Sequence, residues 1–269
     1  MVEALESVHG GTARPAELIV VVDSQDDMRT ADARAVADFR ERHAPGLRLL
    51  FSEGAGAAGA RNMGAKAATK PYLAFLDSDD LWHPDKLRRQ WEYMRKRPHL
   101  AASQTGERWL KDGRDLKQPR RLRPRPGGFL RDAWRVCLIS LSSTLIRRDT
   151  FFELGAFDES FPACEDFELW LRYLVRAPFG LIPEPLVTKR SGGWPQLSAR
   201  HSLDGLRIRA ILKTVRAHPL EIAERERARA ACLEKLAILK QGSARRGDAD
   251  RFAELERDMW AVFGQEDGH

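Results

Sequence analysis

Two unbroken apolar runs, each ending in carboxylates, constrain this chain most. Glu17-Leu18-Ile19-Val20-Val21-Val22 leads into Asp23, with Asp26 and Asp27 close behind, and Tyr72-Leu73-Ala74-Phe75-Leu76 leads into Asp77, Asp79 and Asp80. Neither run alternates with polar residues, the pattern of a strand covered on both faces of a parallel sheet. In open α/β sheets, ligands bind beyond the carboxyl ends of such strands. Three acids at one strand end repel each other, and a hard divalent cation with oxygen ligands, Mg²⁺ or Mn²⁺, relieves the repulsion. A plainer reading has Asp79 or Asp80 only shaping the turn before a helix opened by Pro84 and Asp85. On this segment alone both readings stand.

Between the two runs, residues 29–42 carry Ala33, Val36, Ala37 and Phe39 at helical spacing. Residues 47–51 read as a short strand, and the glycine-rich turn 54–59 opens a helix over 60–69. Strand, helix, strand, helix, strand with short connections predicts right-handed crossovers and an α/β, doubly wound, mostly parallel sheet. Past Pro84 a basic helix reaches Lys96, and residues 108–131, crowded with Arg, Lys, Pro and Gly, read as an irregular basic excursion. Strand candidates return at 138–146, 179–182 and 186–189, and after Ser198 three helices are expected at 202–217, 220–241 and 249–263. The expected division is a first domain over 1–200 and a C-terminal helical extension over 201–269.

A second acidic cluster lies at Glu165-Asp166, where Phe167, Trp170, Leu171 and Leu174 give the following helix one apolar face. Acids at a helix N-terminus are ordinary caps. Beside a metal-bound diphosphate, the same carboxylate would suit a general base that takes a proton from a hydroxyl.

Composition limits the partners. A formal charge of +6 favours polyanions such as nucleotide diphosphates or anionic lipid surfaces. No apolar stretch approaches the roughly 20 residues that cross a bilayer, and the N-terminus has no basic-then-apolar signal pattern, so a soluble, cytoplasmic chain is expected. Cys137, Cys164 and Cys232 form no CxxC pair and read as reduced thiols.

These pieces together resemble the family 2 glycosyltransferases of the GT-A fold. The resemblance is carried by Ala60-Arg61-Asn62-Met63-Gly64, by Tyr72 through Asp80 with Trp82-His83-Pro84-Asp85-Lys86-Leu87, by Gly155-Ala156-Phe157-Asp158-Glu159, and by Glu165-Asp166 with Trp170-Leu171-Arg172. It implies a GT-A-like sheet with a Rossmann-like nucleotide half. The implied reaction is inverting, metal-assisted sugar transfer from a nucleotide-diphosphate sugar to a hydroxyl of an acceptor glycan or lipid-linked sugar. It places Asp23 at the donor base or ribose and Arg61 at the diphosphate or the uracil side. Asp77 and Asp79 become the metal pair, with Asp79 the more direct ligand, and Asp80 lies behind them or at the sugar. Asp166 becomes the general base with Glu165 as its neighbour, and Gly193-Trp194 falls where a lid would lie. The implied setting is polysaccharide, glycolipid or glycan synthesis, in the cytoplasm or peripherally at the inner face of the membrane.

Two departures accompany the resemblance. Relatives carry Asp-Asp-Gly-Ser where Asp23-Ser24-Gln25-Asp26 stands here. They also begin with a strand, a turn and a helix, whereas Val2 to Val8 already reads as that helix, which predicts a missing first strand and a true start upstream of Met1. Two other readings compete. Gly54-Ala55-Gly56-Ala57-Ala58-Gly59 matches the GxGxxG of NAD(P)-binding folds, although Glu165-Asp166 would then have no role. The other is an inactive glycosyltransferase-like scaffold that holds an anionic surface through Arg120, Arg121 and Arg123. Nucleic acid is not expected as a partner, because Trp109 is nearly alone as an aromatic in that basic stretch.

Overall fold

The computed structural model describes residues 1–23, 30–125, 127, 129–192, 203–244 and 252–264. Helix α1 (Val2–His9) precedes β1 (Ile19–Asp23), α2 (Ala31–His43), β2 (Arg48–Ser52) and α3 (Gly56–Ala67). Strands β1 and β2 pair in parallel, from Ile19 opposite Arg48 to Asp23 opposite Ser52. Their crossover, α2, is capped by the Thr30 hydroxyl, which accepts the Ala33 N–H at 3.1 Å, and it buries Ala33, Val36, Ala37 and Phe39 as its periodicity predicts.

The chain continues through β3 (Tyr72–Leu73), β4 (Leu81–Trp82), α4 (Lys86–Arg95), β5 (Ala102–Lys111), β6 (Arg114–Leu116), α5 (Phe129–Ala133), β7 (Thr144–Arg147), α6 (Arg148–Glu153), α7 (Glu165–Leu174) and β8 (Gly180–Ser191). These strands form a second sheet in the order β3-β7-β5-β8-β4, with β6 on β5. Strands β5 and β8 are parallel, and the shorter strands add antiparallel pairs. Among the described residues β1 and β3 are not paired with each other and belong to separate sheets. The ladder of β3 is confined to Tyr72 and Leu73 opposite β7, so Ala74 to Leu76 continue without ladder pairing.

Three expectations need correction. Residues 108–116 are not irregular: Arg108 to Lys111 end β5, and a hairpin turns through Asp112 and Gly113, both at positive φ, into β6. Strand β5 escaped notice because its central side chains, Ser103, Gln104 and Thr105, are polar and buried, so no apolar run marks it. Of 138–146 only the end is strand, since Leu141–Ser143 forms a 3-10 turn. Residues 179–182 and 186–189 belong to the single strand β8, which passes Pro183 and Pro185 because its pairing with β5 shifts register on both sides of Gly106.

Gly106 is required there. A Cβ at this position would lie 2.3 Å from the Pro183 carbonyl oxygen and 2.9 Å from that of Glu184. Both obstacles are backbone and cannot swing aside, so Gly106→Ala is expected to cost about 1–3 kcal/mol. A fall in the urea midpoint of the variant measures this, and an unchanged midpoint would contradict the bulge geometry.

The main core surrounds α7, in which Phe167, Leu169, Trp170, Leu171, Tyr173 and Leu174 are all buried. Helices α8 (Leu203–Ala217), α9 (Ile222–Ala244) and α10 (Ala253–Phe263) join the same core, α8 through Ile208, Ile211, Leu212 and Val215. Each such aliphatic burial is worth about 1.5–3 kcal/mol, so α7 is held on a rigid base. Ion pairs reinforce the seam: Arg172 to Glu168 at 2.5 Å, and Lys213 to both Glu168 and Asp158 at 2.6 Å.

Candidate active site

The acid-rich strand end folds into a turn in which the Asp80 N–H donates to the Asp77 carbonyl at 3.1 Å. Its geometry is set by the segment before β7: the Asp77 N–H donates to Ser142 Oγ at 3.1 Å, and the Trp82 indole donates to the Ser142 carbonyl at 2.8 Å. Helix α4 braces that segment from below. The fully buried Lys86 donates to the Thr144 carbonyl at 3.2 Å and lies 3.9 Å over the Trp82 ring, while Gln90 donates to the Ser143 carbonyl at 3.0 Å. Burial holds the Lys86 ammonium well below the usual lysine range. The Trp82-to-Leu87 piece of the sequence therefore positions the acids.

Asp77, Asp79 and Asp80 each offer a carboxylate oxygen, and the three oxygens lie within 4.8 Å of one another. Asp80 is 1% exposed; its Oδ1 accepts the Arg190 N–H at 3.1 Å, but its Oδ2 is buried with no hydrogen-bond partner. Burial pushes the Asp80 carboxyl up to about 6 even though Lys189 opposes the shift, its ammonium 3.8 Å from Oδ2. A turn alone leaves that oxygen unmatched, whereas a bound cation would satisfy it. Three oxygen donors fit Mg²⁺ or Mn²⁺.

Arg61 on α3 ties this cluster to α7. It pairs with Asp77 at 2.8 Å and, through its other terminal nitrogen, with Glu165. Burial opposes the charge on Arg61, but Asp77 and Glu165 outweigh it and raise its pKa. Burial likewise opposes ionisation of Asp77, yet Arg61 and Lys189 hold its carboxyl below the usual range. Glu165 is raised, by burial first and then by Asp166, with Arg61 acting against both. The neighbouring Asn62 staples α3 to the 157–159 loop, donating to the Phe157 carbonyl at 2.9 Å and to Glu159 at 2.8 Å, and accepting the Phe157 N–H at 3.0 Å.

Helix α7 is entered through Cys164 at φ 61°, a left-handed conformation that is costly for a residue with a side chain and that tends to mark functional sites. The two acids beyond it diverge. Glu165 is 5% exposed and engaged by Arg61. Asp166 instead lines a cavity of about 160 Å³ together with Thr105, Glu107, Trp109, Cys137 and Lys189. Its Oδ1 accepts the Phe167 N–H at 2.7 Å and its Oδ2 faces the Cys137 sulfur at 3.7 Å. Burial pushes the thiol of Cys164 up to about 11 and raises that of Cys137 well above the usual thiol range, so neither is an activated nucleophile.

Lys189 joins the two halves of the site. Its Nζ donates to Ser140 Oγ at 3.1 Å; burial opposes its charge, but Asp80, Glu107, Asp77 and Asp166 together raise its pKa. In the sequence Lys189 stands only at a strand end, and Ser142, Thr105 and Glu107 belong to no motif. Nothing in the local pattern distinguishes them, because their neighbours come from distant segments.

Asp23 stands apart at the end of β1. Its carboxylate accepts Ser52 Oγ at 2.7 Å and the Gly56 N–H at 3.0 Å, at the start of α3. In the NAD(P) reading, a pyrophosphate would need that helix N-terminus, and Asp23 already fills the position. Gly193 and Trp194, the proposed lid, lie outside the described residues.

The fold is that of the GT-A glycosyltransferases. The structure is similar to that of S. aureus TarS, with a TM-score of 0.72 at 17% identity over 97% of this chain and 76% of that one. A Pyrobaculum calidifontis mannosyltransferase, PcManGT, solved with GDP-Man and Mn²⁺, gives a TM-score of 0.56 at 19% identity over 99% of this chain and 84% of that one. The family model described as Glycosyl transferase family 2 matches residues 1–155, and a second, Glycosyltransferase like family 2, matches 129–207. The chain belongs to glycosyl transferase family 2. It is 28% identical over 197 residues to an uncharacterized glycosyltransferase of Rickettsia felis, covering 71% of this chain and 31% of that protein. TuaG of Bacillus subtilis, named for teichuronic acid biosynthesis, is 40% identical over 91 residues, 34% of each chain. AmsB of Erwinia amylovora, named for amylovoran biosynthesis, is 30% identical over 185 residues, 62% of this chain and 58% of that one. The chain spans about a third of the length of the first of these relatives. Among the described residues, no helix is long and apolar enough to cross a membrane.

Proposed function

We propose that residues 1–200 form an inverting glycosyltransferase domain, braced by the helices of 201–269, that moves a sugar from a nucleotide-diphosphate donor to an acceptor hydroxyl. The observation that carries this reading is the division between the paired acids of α7: Glu165 is held by Arg61, while Asp166 faces a cavity that Lys189 connects to the Asp77-Asp79-Asp80 cluster. Asp166 takes the proton of the acceptor hydroxyl as its oxygen bonds to the anomeric carbon, and the bond from that carbon to the diphosphate breaks on the opposite face. Arg61 fixes Asp77 and orients the helix that carries Asp166. A divalent cation held by Asp77, Asp79 and Asp80 would supply Lewis-acid neutralisation of the leaving diphosphate. In this reading Asp23 serves the nucleoside side of the donor. TuaG and AmsB support a place in polysaccharide biosynthesis. Donor and metal use are supported by the TarS complex with UDP-GlcNAc, at TM-score 0.67, and by PcManGT.

Calorimetric titration with UDP and GDP, with and without Mn²⁺, followed by a hydrolysis screen of UDP-, GDP-, dTDP- and CDP-sugars, tests the reading. One nucleotide class should bind in a Mn²⁺-dependent way and its sugar should be released slowly in water. Binding of NADH with none of the nucleotide diphosphates would overturn it.

A further inference from the structure

The cavity beside Asp166 has a chemistry of its own. Thr105 Oγ1 and Glu107 Oε1, two positions apart on β5, are buried without a hydrogen-bond partner, and both residues line the cavity. Thr105 is 1% exposed. Glu107 is oriented by Trp109, whose indole N–H donates to Oε2 at 2.8 Å, which leaves Oε1 as the unsatisfied acceptor. Unmatched buried polar atoms are costly unless something fills them. What fills these brings hydrogen-bond donors, and because the Glu107 and Asp166 carboxylates share the cavity with the Lys189 ammonium, a neutral hydroxyl-bearing group suits the lining. A volume of about 160 Å³ is below the roughly 300–1,000 Å³ of sites that enclose larger ligands, so it holds about one ring or one short polyol. The remainder of an acceptor must leave through the mouth.

The mouth is basic. Leu122 and Pro124 line the cavity, while Arg120, Arg121, Arg123 and Arg125, interleaved with them, are exposed. Among the described residues no ion pair joins these four arginines to an acid, in contrast to Arg108, which is paired with Asp115 at 2.7 Å. The segment that walls the cavity with Leu122 and Pro124 thus also carries four exposed arginines with no acidic partner among the described residues. A neutral glycan would gain nothing from that rim, and an anionic one would be steered to it.

We infer that the acceptor is an anionic chain with a neutral, hydroxyl-bearing end: the end unit sits on Thr105 and Glu107 beside Asp166, and phosphate or carboxylate groups behind it lie along Arg120 to Arg125. This rests on the reading of Asp166 as the base, and its test does not require the donor. Fluorescence anisotropy would compare labelled hexamers of glycerol phosphate, of galacturonate and of neutral maltose-type glucan binding to the full chain. The parent protein, the charge reversal Arg120→Glu/Arg121→Glu/Arg123→Glu, and Glu107→Gln would each be measured. At least one anionic hexamer should bind roughly ten-fold or more tighter than the neutral one at low salt, with the preference shrinking as salt rises. The better of the phosphate and carboxylate arms identifies the charged group.

The triple reversal should abolish the anionic-to-neutral ratio, a readout that a general folding defect, lowering both affinities together, would not move. With the donor found in the hydrolysis screen, Glu107→Gln should lower kcat/KM for the preferred acceptor by about ten- to a hundred-fold. A ratio near one in the parent protein overturns the inference while leaving the transferase reading intact. So does a reversal that keeps the ratio but loses binding to phosphatidylglycerol vesicles, which would make the rim a membrane patch. Failure of every nucleotide diphosphate to bind would instead strike the transferase reading and leave the anisotropy comparison standing.

Discussion

Asp166→Asn is expected to keep nucleotide and Mn²⁺ binding and to lose about a hundred- to ten-thousand-fold in kcat, the range that a positioned general base contributes. The amide has the same shape as the carboxylate, and its oxygen can still accept the Phe167 N–H that Asp166 Oδ1 accepts at 2.7 Å, so the start of α7 should be undisturbed. What it lacks is the basicity to take a proton from a hydroxyl in the cavity. Glu165→Gln is the informative comparison, because Glu165 is buried and engaged by Arg61. Its loss should appear mainly as a lower thermal midpoint, with kcat less affected than in the Asp166 variant. Single-turnover rates at saturating donor, together with midpoints for both variants, separate the two roles. Transfer by Asp166→Asn at the parent rate would remove Asp166 from the chemistry.

The acids of this site were legible in sequence because each stands at the end of a locally recognisable element. Asp23 and Asp77 close apolar runs, and Glu165 and Asp166 open an amphipathic helix, so position along the chain predicts position in the fold. The α2 face and the three C-terminal helices were readable for the same reason. What could not be read are residues whose role comes from a tertiary neighbour. Strand β5 has a polar, buried centre that accepts hydrogen bonds from Gln90 and Ser143, so its sequence resembles a loop. Lys189 draws its importance from four carboxylates on three segments, and the bonding of Asn62 comes from a loop about a hundred positions away. The DxD-like cluster was ambiguous in sequence because the burial of Asp80 and its Lys189 neighbour come from β8, more than a hundred positions away.

Arg61 is where stability and function meet, and Arg61→Met is expected to lower stability by about 3–5 kcal/mol, the usual cost of removing one partner from a buried ion pair. The lower end is the better expectation, because the Asp77 side chain is 32% exposed and can recover some hydration, whereas that of Glu165 is only 7% exposed. The pH dependence distinguishes this cause from simple loss of packing. In the parent, Arg61 and Lys189 keep the folded pKa of Asp77 below its unfolded value, so its contribution is present at neutral pH and lost as pH falls through the folded pKa. Without Arg61, burial acts on Asp77 and Glu165 with less opposition and raises both, so their penalty is present at neutral pH and relieved as they take up protons. The stability gap between parent and variant should therefore be widest near neutrality and narrow toward about pH 4, where carboxylates protonate. Mn²⁺ should recover part of the loss and raise the variant's midpoint more than the parent's, because Asp77 then faces the cluster without its arginine. A gap that is constant with pH and indifferent to Mn²⁺ would mean that Arg61 contributes bulk rather than charge, and the electrostatic link between the Asp77-Asp79-Asp80 cluster and α7 would have to be abandoned.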